Sequence, residues 1–425
     1  MKLSLSLSVL LVLGPAAAQA QTPAALVQKI KASPGFQTAS AFLEADYDRF
    51  VRELIALTEI PAPPFKETAR GTAYLQMLKD AGLTDVERDE EGNVMGMWRG
   101  QSAPGGPLLA VLSHLDTVFP EGTDVKVKRN GTVLAAPGIG DDTRALAMML
   151  SAIRAMRAGG LRTRDDVLFV GNVGEEGEGD LRGVKYLLAK GKYKDRIRQL
   201  IAIDGGEQGA MTNGALGSRR YRVTFKGPGG HSYGAFGLVS PSLAMGNAIQ
   251  KFSHVQVPAK PKTTFNVGVV GGGTSVNSSP VDVFMDVDMR SESPAELVAI
   301  DTAFKKLVAE AVEEENRTRS TAQGRITADV KLIGDRPSGA TATDTMLIQT
   351  VTASVASYGL TPSYEMSSTD SNIPISKGIP AVTIGRGGRG GRGHSLDEWT
   401  DVEKRGAVQA AEVAVTIFLA TAGIP

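Results

Sequence analysis

The sequence predicts an α/β protein, a mixed and largely parallel sheet flanked by helices, with a smaller α+β module inserted. Three observations carry that reading. Apolar runs of strand length alternate with helical stretches through the first half of the chain, as in a parallel sheet buried on both faces. The middle of the chain turns to alternating, β-rich segments. After Arg336 the strand–helix alternation returns. The expected division is a leader over 1–20, a main domain over 21–214 and 337–425, and an inserted module over 215–336.

The elements follow in order. Lys2 precedes the apolar Leu3–Gly14 stretch, and Ala18-Gln19-Ala20 is a small-x-small cleavage site. That apolar core is too short to span a membrane. Cleavage after Ala20 is therefore expected, leaving a secreted or periplasmic protein with no stable membrane anchor. Ala24–Ile60 reads as helical, with Phe50, Leu54, Ile55 and Leu57 on one stripe, and Pro61-Ala62-Pro63-Pro64 ends it. Lys66–Gly82 is a second helix, and Val86–Trp98 a hairpin about Glu91-Gly92-Asn93. Pro107–His114 and Asp166–Val173 are buried strands, with a helix over Arg144–Gly159 between them. Val184–Lys190 opens a further helix, and Gln199–Ile203 is a strand ending at Asp204. In the inserted module Arg220–Phe225, Thr264–Val270 and Val281–Asp288 read as strands, Ser240–Phe252 and Pro294–Glu314 as helices. The composition is that of a ferredoxin-like module. Thr343–Ser357, Ala381–Ile384 and Val402–Thr421 close the chain as helix, strand and helix.

Composition narrows the chemistry. The 425 residues balance 46 Lys+Arg against 46 Asp+Glu, so net charge suggests neither nucleic acid nor an anionic membrane as partner. Without cysteine there is no disulfide, thiolate metal site or cysteine nucleophile. Any metal must use His, Asp and Glu, and the only histidines are His114, His231, His254 and His394. His254 has no motif around it.

The polar residues gather where strands end. His114 and Asp116 follow one apolar run, Glu175 and Glu176 another, and Asp204 a third. Asp141-Asp142 follow the glycine-rich Pro137-Gly138-Ile139-Gly140, and His394 follows the glycine-rich loop 385–393. Ligand sites of open α/β sheets lie beyond strand carboxyl ends. Buried adjacent carboxylates need a positive partner. Histidine with carboxylate suits zinc, with cobalt or manganese as alternatives. The surplus of carboxylates suggests two ions about 3.5–4 Å apart. Asp142 is read as structural, and Glu178 and Asp180 as loop charges. The Gly/Arg run from Gly385 to Gly393 resembles RGG segments that bind single strands. Between a strand and a candidate ligand it is better read as an active-site loop, with Arg386, Arg389 and Arg392 toward an anionic part of a substrate.

His114-Leu-Asp116-Thr-Val-Phe-Pro, Gly138-Ile-Gly-Asp141-Asp142, Glu175-Glu176-Gly, Ile203-Asp204-Gly and His394-Ser-Leu-Asp-Glu-Trp399 occur in this order along nearly all of the mature chain. Together they resemble the M20 metallopeptidase family, near its tripeptidase T and glutamate carboxypeptidase branches. The resemblance implies a di-metal exopeptidase-like catalytic domain and a dimerisation or lid domain, hence a homodimer. It implies that His114 and Asp204 hold one ion, Glu176 and His394 the other, and that Asp141 bridges both. Glu175 would be the general base on a metal-bridging water, and Asp116 would orient His114. Gly227-Pro-Gly-Gly-His231-Ser matches the motif whose histidine reaches an active site, often the partner subunit's, and helps stabilise the oxyanion. Gly272-Gly-Thr-Ser-Val-Asn277 and Asp288-Met-Arg290 match positions that grip a substrate carboxylate, and Arg336 is a further candidate. Thr143-Arg144 departs from the Lys-Gly that many members carry, which bears on how closely the next helix packs.

The expected function is that of an exported hydrolase of small peptides, with zinc as the metal. A second reading keeps the site but acts on N-acyl or carbamoyl amino acids. A third, a catalytically silent binding protein on the same fold, would be signalled by a lost ligand or base, and none is missing.

Overall fold

The computed structural model describes residues 22–425, so the leader and its expected cut after Ala20 lie outside the described residues. The helical stretch expected from Ala24 to Ile60 is two helices, Pro23–Ala32 and Pro34–Thr58. Ser33 separates them in an extended conformation, and its hydroxyl accepts the Phe36 N–H at 3.2 Å. The ring of Pro34 disfavours helical backbone at the residue before it, yet suits the first position of a new helix.

The main sheet has nine strands. In space they run Thr84–Arg88, Val94–Trp98, Asp166–Asn172, Leu108–His114, Ile197–Ile203, Ala381–Ile384, Ala210–Ala215 and Gly339–Ala340, with Ser363–Ser367 beside Ala210–Ala215. The four central strands, Asp166–Asn172 to Ala381–Ile384, pair parallel. The hairpin edge pairs antiparallel. Side chains alternate across the central strands. Leu109 and Val111 join the core under Pro34–Thr58, Thr143–Ala158 and Lys404–Ala422. Leu108, Ala110 and Leu112 face the opposite core with Arg182–Ala189. Burial on both faces is why these strands read as unbroken apolar runs. Each fully buried Leu or Val there contributes about 1.5–3 kcal/mol.

The helix after the Thr143-Arg144 departure packs closely, with every residue from Thr143 to Met156 buried. The Arg144 guanidinium donates to Thr400 Oγ1 at 2.6 Å and to the Asp401 carbonyl at 2.7 Å. Further along, Arg154 donates to Asp46 on one side and Glu53 on the other, at 2.6 and 2.9 Å, tying this helix to Pro34–Thr58. All three side chains are buried. Arg154→Met is expected to cost about 3–5 kcal/mol, because two buried carboxylates lose their counter-charge. The urea midpoint reads this, and an unchanged midpoint would refute it.

The inserted elements form a separate antiparallel sheet in the order Thr263–Gly272, Asp282–Ser291, Gly217–Lys226, Thr327–Arg336. Helices Pro241–Ser253 and Pro294–Thr318 cover one face around Phe225, Phe252 and Phe304. Chain order β-α-β-β-α-β with this strand order is ferredoxin-like. Thr327–Arg336 is a fourth strand beyond the three expected. It lies at the sheet edge and is largely exposed, so it carries no apolar run. Among the described residues no helix is long and apolar enough to cross a membrane.

Candidate active site

Sheet register brings the strand ends together. His114 pairs with Asn172, and Ile203 with Ile384, along one edge. The residues just beyond therefore converge, since parallel strands end on the same side. Ligand atoms of His114, Asp141, Asp142 and Asp204 all lie within 4.8 Å of one another, as do those of Asp141, Glu176 and His394, and those of His114, Glu175 and Glu176.

His114 is buried. Its Nδ1 lies 3.0 Å from the Asp116 carbonyl oxygen. A carbonyl can only accept, so Nδ1 carries the proton and Nε2 presents a lone pair. That lone pair faces Asp141 Oδ1 at 3.1 Å. Two acceptors so close need a proton or a cation between them. On the other side, His394 Nε2 lies 2.8 Å from Glu176 Oε1 and 3.3 Å from Asp141 Oδ2. Asp141 thus turns one oxygen to each histidine.

The charges show the same need. Burial opposes a proton on His114, but the carboxylates of Asp141, Asp142 and Asp116 outweigh it and hold the imidazole well above its usual range. Hydrogen bonds to Asp141 and Glu176 push His394 up to about 10. Burial, and then the Asp141 charge, pushes Asp204 up to about 6. A divalent cation would relieve all three. The donor set, two imidazoles and shared carboxylates with no sulfur, fits such an ion.

Asp116 acts differently from the expectation. His114 reaches its carbonyl, while its nearer carboxylate oxygen is 3.7 Å from Nδ1. That carboxylate instead accepts the N–H groups of Glu175 and Glu176 at 3.0 and 2.8 Å. It fixes the loop carrying both glutamates. Glu175 meets Arg336, whose Nη1 donates to Oε1 at 3.2 Å and whose Nη2 donates to the Glu175 carbonyl. Arg336, expected as a substrate contact, is buried in the cleft wall and donates to Glu175 and to Ser368 Oγ, each at 3.2 Å. Burial still pushes Glu175 well above the usual carboxyl range, against the pull of Arg336.

A cleft of about 570 Å³ opens over Asp141, Glu175, Glu176, Asp204 and His394. Its opposite wall, from the inserted sheet, carries Arg290 and Arg220. Both guanidiniums share Asp288, at 2.7 and 2.9 Å, and Arg220 also donates to the Gly177 carbonyl at 3.2 Å. His231 and Asn277 do not line this cleft. They sit together in the inserted module, where Gly230–His231 pairs with Ser278–Ser279 and His231 is exposed. Arg392 is exposed and paired with Asp397 at 2.9 Å, and Arg389 is paired with Asp401 at 2.7 Å.

Two residues of this region were not among the expected site set, and a third was expected in another role. Glu398 accepts the N–H groups of Gly138, Gly140 and Asp141 at 3.0, 2.8 and 2.8 Å, holding the loop that presents Asp141. Only its closeness to His394 in sequence hinted at this. Arg220 had no signal beyond lying in a β-rich stretch. Arg386, expected to face substrate, points instead at the carboxylates, 3.9 Å from Asp141 and 3.7 Å from Asp204.

A largely parallel sheet with an inserted ferredoxin-like module and an acid–histidine cluster beyond its strand ends defines a class, the metal-binding hydrolases. The model of peptidase family M20/M25/M40 matches residues 110–421, and the chain belongs to that family. It is a hydrolase of the metallopeptidase type. Among solved structures it resembles the aminopeptidase PepT of Bacillus cereus at 22% identity, covering 89% of this chain and 99% of that one, with a TM-score of 0.70. It also resembles a dinuclear metal-binding peptidase of the M20 family from Bacillus subtilis, at 16% identity, 88% and 98% coverage, and a TM-score of 0.62. A third likeness is to the aminobenzoyl-glutamate utilization protein of Klebsiella pneumoniae, at 15% identity, 89% and 97% coverage, and a TM-score of 0.65. These likenesses are of fold. No curated protein matches the chain.

Proposed function

We propose that this protein is an exported exopeptidase of small peptides bearing a free carboxylate, working with two divalent ions, zinc in the first instance. The observation that carries this is Asp141, whose two oxygens face His114 and His394 separately, at 3.1 and 3.3 Å. His114 and Asp204 would hold one ion, Glu176 and His394 the other, and Asp141 both. When bound, the ions would polarise a scissile carbonyl and acidify a water near neutral pH. Glu175 takes the proton from the attacking water and returns it to the leaving amine. Arg336 and Asp116 hold Glu175 in place for both transfers. Arg220 and Arg290 bring two guanidiniums against the single carboxylate of Asp288. The surplus charge suits a substrate carboxylate at the far end of the cleft. His231 and Asn277 stand outside the cleft, and in this reading a second copy of the chain brings them to it as a homodimer. Export rests on Lys2, the apolar stretch after it and Ala18-Gln19-Ala20.

The test is a panel of dipeptides, tripeptides and N-acyl amino acids, each with a free or amidated carboxyl end, assayed with zinc, cobalt and manganese. Hydrolysis of free-acid peptides, with at least about tenfold lower kcat/KM for the amides, is expected from the loss of a charged hydrogen bond worth about 1.5–3 kcal/mol. Turnover of N-acyl amino acids alone would move the assignment to an amidohydrolase. No turnover with any metal would sink it.

A further inference from the structure

Arg386 is a permanent cation built into one half of the cluster. It follows the strand Ala381–Ile384, which pairs with Ile197–Ile203, so it emerges beside Asp204. Its Nη1 lies 3.9 Å from Asp141 Oδ1, 3.9 Å from Asp142 Oδ1 and 3.7 Å from Asp204 Oδ1. Its side chain is largely shielded, and Nη1 is buried without a hydrogen-bond partner. Asp142 Oδ1 is likewise buried and unpartnered. The guanidinium is thus held among three carboxylates without being locked to any one of them. Gly140 makes room for it, because a Cβ there would stand 3.3 Å from Arg386 Nη2 and 2.8 Å from Glu398 Oε1. No ion pair places Arg386 against Glu176, and the guanidiniums on that side are committed elsewhere, Arg336 to Glu175 and Arg220 to Asp288.

We infer that Arg386 sets the order in which the cluster takes up metal, making the His114–Asp204 half the weaker and more exchangeable of the two. The inference rests on the two-ion reading above and adds to it a residue-level cause. Arginine stays protonated at any working pH. A divalent ion entering beside His114 and Asp204 therefore meets a fixed like charge, close by and partly shielded from water, where screening is weak. An ion entering between Glu176 and His394 meets no guanidinium paired with Glu176, whose ion-pair partner is His394. In the metal-free protein the same guanidinium offsets the charge of Asp141, Asp142 and Asp204, so the emptied half keeps its geometry. Arg386 is in this sense a positioning residue and touches no reacting atom.

Calorimetric titration of the chelator-stripped, full-length protein with zinc tests the inference, with bound metal counted by elemental analysis. The wild type is expected to show two unequal sites. Arg386→Met should tighten the weaker site at least about tenfold and leave the tighter one within about twofold. Arg386→Lys, which keeps the charge, should retain the gap. Asp204→Asn should remove the weak site alone, and His394→Ala the tight one. Without metal, Arg386→Met should melt below wild type, and with saturating zinc at or above it. Equal affinities in the wild type, or a weak site that Arg386→Met leaves unchanged or loosens, would overturn the inference while leaving the two-ion reading intact. Failure of the wild type to bind any ion would instead remove the reading beneath it. If Arg386→Met changed only KM for substrate, with both metal affinities fixed, Arg386 would be a substrate contact and the inference wrong.

Discussion

Glu175→Gln is expected to keep two bound ions and to lose about 10²–10⁴-fold in kcat, the usual worth of a positioned proton acceptor. The amide is nearly isosteric, so the loop should not move. The Glu175 N–H still reaches Asp116, and Arg336 still reaches the Glu175 carbonyl. The change removes only the basic oxygen. Glu176, one residue on, keeps its contact with His394 at 2.8 Å, so metal uptake should survive. Neighbouring glutamates thus part company because the backbone turns between them, after Gly174 at φ 65. Burial and the Arg336 contact single out Glu175. The measurement is kcat with elemental analysis of bound metal on the same preparation. A variant within threefold of wild-type kcat would show that some other group moves the proton.

How far the sequence could be read follows from what each element buries. The strands Leu108–His114 and Asp166–Asn172 were legible because both faces are covered, which leaves an apolar run ending at the polar edge. Every expected metal ligand sits at the end of a strand, just past one or in a loop beside it. Thr327–Arg336 was not legible, because an exposed edge strand needs no apolar pattern. Ala210–Ala215, built from Ala, Met, Thr, Asn and Gly, has little strand propensity and is held by its neighbours on both sides. The break at Ser33-Pro34 was written in the chain and lost inside a longer periodic stretch. In the site, residues that touch across great sequence distance stayed hidden. Glu398 holds a loop some 260 positions earlier, and Arg336 reaches Glu175 across 161. No local pattern encodes such pairs. In the glycine-rich loop, Arg386 was expected to meet substrate, and it faces the carboxylates of the cluster instead. The fold turns Arg386 inward because Ala381–Ile384 lies directly beside the strand that ends at Asp204.

Asp141→Ala is the other change with a large expected effect, and it differs in kind from the loss of any single ligand. Asp204→Ala should leave one ion, bound between Glu176 and His394. Asp141 has an oxygen on each histidine, so its loss strips a ligand from both halves at once. Both affinities should fall by at least about 10²-fold, more than the 10–100-fold typical when only a partner of a ligand is removed. Turnover should vanish with them. The backbone should hold, because the loop that presents Asp141 is fastened from outside by Glu398 through three N–H groups. Circular dichroism of the metal-free variant should therefore match wild type, which separates loss of metal from loss of fold. If Asp141→Ala still bound one ion as tightly as wild type binds its first, the carboxylate would belong to one half only. The two histidines would then serve independent sites. Such a result would also end the case for a water held between two ions, and with it the need for Glu175 to sit where it does.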